Sequence, residues 1–321
     1  MRLTLPRLIL AALALAALAL PYFATNYYTQ FASKAAIMAV AAIGLNLAAG
    51  AGGMVSMCHA AFFGLAGYTL ALLSPQYEAA SLFLTLPAAV AISALAAALI
   101  GALSLRTRGV YFIMVTLAFG EMLFFVFHDT PLGGSDGKFI YVKPEAVIGG
   151  YALFDLEKTR TFYYAALAAL AFSWLIAARL KLSHFGHALA AARDNERRAL
   201  ALGFPVFKTR LIAFTISGAL AGLAGYFSAA QFGFIAPQAL GWHASATLLV
   251  MILLGGMKSS AGPVIGAVAL LALEEVLKLT TDQWKLWLGL IVIALVLLLP
   301  GGLSQLGVPG WLKKPGEAPR G

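Results

Sequence analysis

Charged side chains are scarce in this chain of 321 residues. Lysine and arginine number 22 and aspartate and glutamate number 13, so that 11% of the residues are charged and the net charge is +9. Soluble domains carry about a quarter charged residues. Hydrophobic residues make up 61% of the chain, more than a water-facing surface accommodates without large apolar patches. The composition therefore indicates an integral membrane protein.

The chain also lacks the side chains that several kinds of site require. Its single cysteine, Cys58, excludes an intrachain disulfide, a multi-cysteine zinc site and an iron–sulfur cluster within this chain. The sequence contains no Gly-x-x-x-x-Gly-Lys-Ser/Thr loop, no Gly-x-Ser-x-Gly elbow and no His/Glu cluster with metal-ligand spacing. We therefore predict no catalytic residue and no metal site. We attribute the positive charge to loops on the cytoplasmic side of a membrane, and predict no nucleic acid partner.

Long apolar segments dominate what remains. A helix needs about 20 apolar residues to cross the hydrocarbon of a bilayer, and ten segments meet or nearly meet this length. They predict an all-α polytopic membrane protein with about ten transmembrane helices. The predicted spans are Arg7–Tyr27, Phe31–Ala49, Met54–Leu73, Leu82–Leu105, Val110–Phe127, Phe162–Leu180, Leu211–Phe232, Trp242–Met257, Val264–Leu279 and Leu286–Leu303.

The first of these segments permits two interpretations. Two arginines precede an apolar run, Leu8–Leu20, which has the length of a signal-peptide core. The run continues beyond a small-x-small site at Ala17–Ala19 toward Tyr27 and Tyr28, and tyrosines are typical of a membrane interface. We favour a retained, signal-anchor-like first span over residues 1–30, rather than a cleaved peptide.

Lysine and arginine are concentrated in alternate loops, and short cytoplasmic loops hold these residues preferentially. With ten spans, all the basic clusters lie on the cytoplasmic side if both termini are cytoplasmic. No linker separates soluble domains, so a single membrane domain is predicted. It covers residues 31–303, with an outer excursion at 129–160 and a cytoplasmic segment at 181–208, and is followed by a cytoplasmic tail at 304–321.

The stretch Gly44–Gly64 interrupts the hydrophobic sequence with glycines and isolated polar side chains. Transporters use discontinuous helices of this kind to present polar groups to a substrate near the membrane midplane. Ser56 and His59 then supply polar contacts to a pathway, and Phe62 and Phe63 line its apolar wall. The alternative is structural: the glycines form a loop and permit close helix packing, and His59 bonds a neighbouring carbonyl.

An acidic side chain, Glu121, lies in the middle of the fifth predicted span, which contains no basic residue. A lone carboxylate in hydrocarbon is protonated, paired across helices or in contact with a wet cavity. Glu121 is therefore a candidate for the pathway of a transported solute. It also supports an alternative function, an ion-coupled secondary transporter that uses Glu121 as a proton or sodium site.

An amphipathic helix outside the bilayer is predicted over His184–Leu202. Ser183 is its expected N-cap and Gly203 its expected C-terminal glycine, while Phe185 and Leu189 share its apolar face. A helix that only binds lipid headgroups needs no acidic residues in its basic cluster. The cluster here mixes both signs and favours a protein partner, with the candidate docking residues Arg193, Asp194, Asn195 and Glu196.

Several of these segments together resemble one family, the LivM-type permease of branched-chain amino-acid ABC importers. The resemblance covers most of the chain from Ala35 to Leu303, and the Arg193–Glu196 block is its most specific part. It is carried by Gly44–Leu73, Arg106–Phe112, Thr116–Glu121, Gly133–Gly137, Ala192–Gly203 and Gly255–Gly266.

The resemblance implies a transport subunit in the bacterial cytoplasmic membrane, and no enzyme activity or cofactor in this chain. The implied partners are a LivH-type second permease, two cytoplasmic ATPase subunits that hold ATP and Mg, an extracytoplasmic solute-binding protein and membrane lipid. Ala188–Gly203 matches the family's coupling loop. Met54 and Cys58 stand where relatives commonly have Gln and Gly, so the solute remains open between a branched-chain amino acid and urea or a short amide.

Overall fold

The computed structural model describes residues 17–75, 77–148, 151–154, 156–299 and 301–305. Residues 1–16 of the predicted first span and residues 306–321 of the predicted tail lie outside the described residues. Residues 17–23 are helical. After them, the described ranges contain eleven α-helices: α1 (Asn26–Asn46), α2 (His59–Leu73), α3 (Leu82–Ser104), α4 (Val110–Asp129), α5 (Thr159–Leu182), α6 (His184–Asp194), α7 (Glu196–Ala201), α8 (Val206–Phe232), α9 (Trp242–Gly255), α10 (Gly262–Thr280) and α11 (Trp284–Leu298).

Six helical segments in the described part of the chain are long and apolar enough to cross a membrane. The apolar helices α2 and α11 have 15 residues each, and at about 1.5 Å per residue they are shorter than the hydrocarbon is thick. The all-α membrane class is confirmed, while the count of ten spans stays a prediction. The six segments are Asn26–Ala51, Leu82–Ser104, Val110–Asp129, Thr159–Leu182, Val206–Phe232 and Pro237–Gly255.

Helix α8, with 27 residues, packs against α1, α2 and α3. Glycines permit this close approach, because a Cβ atom on Gly218 would collide with Ala97 of α3, and one on Gly225 would collide with the Phe63 carbonyl of α2. Membrane helices associate through such small residues because lipid provides no hydrophobic force between helices. The backbones of α2 and α8 therefore form the centre of the fold.

The predicted interruption after the second span is confirmed. Helix α1 continues into a π-helical turn, Leu47–Ala51, and an irregular loop at residues 52–58 precedes α2. Gly53 in this loop has a φ of +69°, which glycine adopts at no steric cost. The Met54 amide donates a hydrogen bond of 3.0 Å to the Ala48 carbonyl. The third predicted span is thus helical from His59 onward, and the residues before it form a folded loop.

Four short strands lie in and beside the predicted outer excursion, and they were not predicted from the sequence. Strand β1 (Lys138–Phe139) pairs antiparallel with β4 (Phe234–Ile235), which follows α8. Strand β2 (Ala146–Ile148) pairs with β3 (Tyr151–Phe154). The Leu82 amide also donates to the Glu145 carbonyl at 2.9 Å. The excursion is therefore fixed to the end of α8 and the beginning of α3.

Several of the described helices leave wide apolar surfaces exposed, among them α3, α4 and α11. Helix α11 has no buried residue. In α4 the exposed positions recur at intervals of three and four residues, so they form one stripe along the helix. The stripe consists of Tyr111, Met114, Ala118, Met122 and Phe125.

Candidate translocation and coupling site

A buried hydrogen-bonded cluster marks the beginning of α2. Ser56 and His59 are both fully buried. His59 Nε2 lies 2.6 Å from Ser217 Oγ of α8, and His59 Nδ1 lies 3.2 Å from Ser56 Oγ. The Ser217 hydroxyl donates to the Gly44 carbonyl of α1 at 2.5 Å, so Ser217 accepts from the imidazole and Nε2 carries the ring proton. His59 thus joins α1, α2 and α8 through satisfied hydrogen bonds.

Aromatic rings enclose this imidazole. The Phe62 ring stands edge-on to His59 with centroids 5.7 Å apart, and the Phe214 ring does the same at 5.5 Å. Phe62 is fully buried and Phe63 is 7% exposed. Both phenylalanines therefore belong to the packed interior of this chain, where edge-to-face pairs add stability beyond their area.

Helix α4 closes the other side of the loop at residues 52–58. Thr116 Oγ1 accepts from the Met57 amide at 3.2 Å, and a Cβ atom on Gly120 would lie 3.5 Å from the Cys58 Cα. The loop is therefore held between α4 and the core. Because it carries Ser56 and ends at His59, a shift of the loop must disturb the buried cluster.

Glu121 follows Gly120 in α4, but its hydrogen-bond partner belongs to α9 and not to the loop at residues 52–58. Its Oε1 accepts from the Trp242 amide at 2.9 Å, which is the first amide of α9. A carboxylate at this position satisfies an amide that has no partner within the helix and interacts favourably with the helix dipole. Glu121 therefore joins α4 to α9, and this hydrogen bond lies outside the His59 cluster.

The predicted extramembrane helix is a pair of helices, α6 and α7. Ser183 Oγ accepts from the Gly186 amide at 3.3 Å, and Gly203 has a φ of +83°, so both predicted caps are confirmed. The expectation of one continuous helix is wrong, because Asn195 is extended, with φ −155° and ψ 97°. Its side chain accepts from the Arg198 amide at 3.0 Å and begins the second helix, as a short polar side chain does at an N-cap.

Helix α6 packs directly on the π-helical turn at the end of α1 and on the loop that leads to α2. Arg193 Nη1 donates to the Gly50 carbonyl at 2.7 Å, and a Cβ atom on Gly53 would lie 2.6 Å from Arg193 Cγ. Leu189, which is 1% exposed, lies next to Gly52. The guanidinium also pairs with Asp194 at 2.9 Å. Arg193 and Leu189 thus face the membrane part of the same chain.

Glu196 faces inward as well. Its Oε2 pairs with Arg210 of α8 at 3.0 Å, and its Oε1 pairs with Arg108 at 2.9 Å. Arg210 Nη2 also donates to the Ala192 carbonyl at 2.9 Å. The exposed residues of this segment, which another protein can reach, include Arg193, Asp194, Asn195, Arg197, Arg198, Leu200 and Leu202.

Sequence reasoning missed the partners of the cluster. Ser217 and Thr116 are fully buried, and each lies in a long apolar helix where serine and threonine are common. In the sequence, each of them was only a hydroxyl residue within a predicted span. Ser217 and His59 are far apart along the chain, so no sequence motif connects them. Arg210 directly precedes the predicted span Leu211–Phe232, and only the fold brings it to Glu196.

Comparison with known proteins places the chain in a family. The family described as "Branched-chain amino acid transport system / permease component" matches residues 27–300. The chain belongs to this family. It is 30% identical over 309 residues to the high-affinity branched-chain amino acid transport system permease protein LivM of Salmonella typhimurium, covering 88% of this chain and 71% of the relative. The LivM protein of Escherichia coli matches with the same identity and coverage.

A match over a shorter stretch is found with the autoinducer 2 import system permease protein LsrC of Klebsiella pneumoniae. It is 36% identical over 143 residues, which are 42% of this chain and 40% of that protein. No solved structure matches the chain. The permease is therefore a multi-pass inner membrane protein and the transport component of an ABC importer, in which the ATPase is a separate subunit. Permeases of this family work with ATPase subunits, a substrate-binding protein and, in general, a second permease.

Proposed function

We propose that this permease carries branched-chain amino acids inward, together with a second, LivH-type permease. Two cytoplasmic ATPase subunits, which hold ATP and Mg, provide the driving force, and an extracytoplasmic binding protein delivers the solute. The similarity to two LivM proteins over 88% of the chain carries the substrate assignment. The shorter match to LsrC supports only the general import role.

The substrate assignment is tested by uptake in cells that lack their own branched-chain amino acid importer and express the complete set of subunits. We expect labelled leucine to accumulate, and unlabelled isoleucine or valine to compete with it. Urea and acetamide serve as competitors of the alternative class. Competition by urea or acetamide, but not by isoleucine, would contradict the assignment.

The proposed topology has ten spans, with both termini in the cytoplasm. The retained first span covers residues 1–30, and one permease domain covers residues 31–303. The segment at 181–208, which holds α6 and α7, is then cytoplasmic, and the strand-containing excursion at 129–160 lies outside. The distribution of lysine and arginine supports this orientation.

The proposed translocation pathway runs along α4 and the partner permease. The exposed stripe of α4 begins at Tyr111 and includes Met122, next to Glu121. Ser56, His59, Phe62 and Phe63 lie behind α4 in the core, and we propose that they approach this pathway when the beginning of α2 shifts. Polar groups inside a membrane protein are costly unless they are paired, as they are here.

Two substitutions of Glu121 distinguish its charge from its capping role. Glu121→Gln keeps an oxygen that accepts from the Trp242 amide, so we expect transport to decrease with little change in thermal stability. Glu121→Ala removes the cap and is expected to decrease both, with a loss of about 1 kcal/mol in the free energy of unfolding. Leucine uptake and the unfolding midpoint are measured for each variant. Normal uptake by both variants would show that Glu121 does not serve the pathway.

The proposed coupling segment has an outer and an inner side. Asp194, Asn195 and Gly203 are exposed and are proposed to contact the ATPase. The inner residues Phe185, Leu189, Arg193 and Glu196 are proposed to transmit the motion of the ATPase. The hydrogen bond from Arg193 to the Gly50 carbonyl supports this route, because it joins α6 to the π-helical turn that continues into the loop before His59.

A further inference from the structure

A pocket of about 380 Å³ opens between the turn from α3 to α4, the loop before α2, and α7. Small-molecule sites typically enclose about 300–1,000 Å³ and have mostly apolar walls with a few polar groups. The pocket fits this description, since three charged side chains border it: Arg108, Arg210 and Glu196. Its apolar lining consists of Met54, Val55, Leu105, Val110, Phe112 and Ile113.

The charged groups differ in how firmly they are held. Arg210 is 18% exposed and bonds both Glu196 and the Ala192 carbonyl. Arg108 is 72% exposed and pairs with Glu196 at 2.9 Å. An ion pair with such an exposed arginine contributes little to stability, so Arg108 can exchange the Glu196 oxygen for another carboxylate at small cost. Glu196 then offers that oxygen to a positive group.

This pattern of charges suits a small zwitterion with an apolar side chain. Its carboxylate pairs with Arg108, its ammonium group pairs with the released oxygen of Glu196, and its side chain contacts Met54 and Phe112. We propose that the pocket binds a small apolar amino acid from the cytoplasm, and that the bound molecule inhibits the transport cycle. The inference rests on the proposed function, in which this amino acid is the imported product.

Inhibition follows from what the pocket bridges. One wall belongs to the loop that contains Gly53, against which Arg193 of α6 packs. The rim residue Glu196 belongs to α7, and Arg210 belongs to α8. A ligand that contacts the loop and Glu196 at once favours the arrangement in which they lie close together. The ligand therefore opposes any step that separates the loop from Glu196. The size of this effect depends on how much more tightly the ligand binds the close arrangement than the separated one.

The experiment uses proteoliposomes that contain the complete importer with its ATPases facing outward. The binding protein and leucine are enclosed, and ATP is added outside. We expect ATP hydrolysis to decrease as leucine is added to the outer, ATPase side. Leucinamide, which lacks the carboxylate, is expected to have no such effect at the same concentration.

Two arginine variants locate the inhibition. Arg108→Gln is expected to raise the leucine concentration for half-inhibition about tenfold or more, because a hydrogen bond between charged groups is lost. Arg106→Gln removes a neighbouring exposed arginine that does not border the pocket, and is expected to leave that concentration unchanged. Val110→Trp, which fills the pocket without a change of charge, is expected to act like Arg108→Gln. Each variant is compared with its own rate without external leucine.

The outcomes separate the two proposals. If the importer moves enclosed leucine with normal ATP hydrolysis but external leucine does not inhibit, the pocket proposal is wrong and the proposed function stands. Equal inhibition by leucinamide, or equal shifts in the Arg108 and Arg106 variants, also contradicts the pocket. If enclosed leucine is not transported at all, the proposed function fails, and the inference fails with it.

Discussion

Replacing Arg193 and Glu196 together with alanine is expected to lower leucine uptake about tenfold or more while ATP hydrolysis continues. The variant removes the bonds to the Gly50 carbonyl, Arg210 and Arg108. Loss of Glu196 leaves the guanidinium of Arg210, which is 18% exposed, without its partner, and such a loss typically costs about 2 kcal/mol or more. The contacts of Arg193 and Arg108, which are 39% and 72% exposed, contribute less. About 1.4 kcal/mol corresponds to a factor of ten. Because the bonds that are removed all lie within this chain, we expect the ATPases to remain bound and the chain to insert normally.

The matched control is the double variant Glu274→Ala with Lys278→Ala. Like the test variant, it removes one acidic and one basic residue. These two lie in α10 and pair with each other, with Lys278 Nζ 2.5 Å from Glu274 Oε1, so the control leaves the coupling segment intact. We expect near-normal uptake from this control. ATPase copurification, ATP hydrolysis and uptake are measured together. Uptake at the wild-type rate by the Arg193 and Glu196 variant, across a range of salt, would show that these two residues transmit nothing.

Gly225→Ala is expected to destabilise the permease strongly. The added Cβ would collide with the Phe63 carbonyl, so α2 and α8 must separate. Overpacking of this kind typically costs about 1–3 kcal/mol, and a backbone neighbour cannot rotate away, so we expect a loss near the upper end. The control Gly289→Ala adds the same methyl group in α11, where no atom lies within 4 Å.

The single cysteine provides the measurement. Cys58 is fully buried, so a thiol-reactive dye reacts with it as the purified protein unfolds on heating. We expect the midpoint of Gly225→Ala to fall by several degrees, and the midpoint of Gly289→Ala to stay within about one degree of the wild type or to rise, since alanine favours helix over glycine. Equal midpoints for both variants would contradict the close packing of α2 against α8.

The sequence predicted the features that depend on local pattern. Composition indicated a membrane protein, glycines indicated the break before α2, and Ser183 and Gly203 indicated the caps of the α6–α7 segment. Asn195 was visible in the sequence, yet its break was missed, because the helical pattern continues on both sides. The short strands were missed because two to four residues show no period. The hydrogen bond of His59 to Ser217 and that of Glu121 to the Trp242 amide depend on which helices pack together, and no local spacing encodes that.

The central claim is that this permease takes part in ATP-driven import rather than in ion-coupled transport. The most direct test is accumulation of labelled leucine in proteoliposomes that contain both permeases and both ATPases, with the binding protein outside and ATP enclosed. We predict accumulation that requires ATP, the binding protein and this chain, and that persists when ionophores collapse proton and sodium gradients. Accumulation that needs such a gradient and proceeds without ATP would contradict the claim.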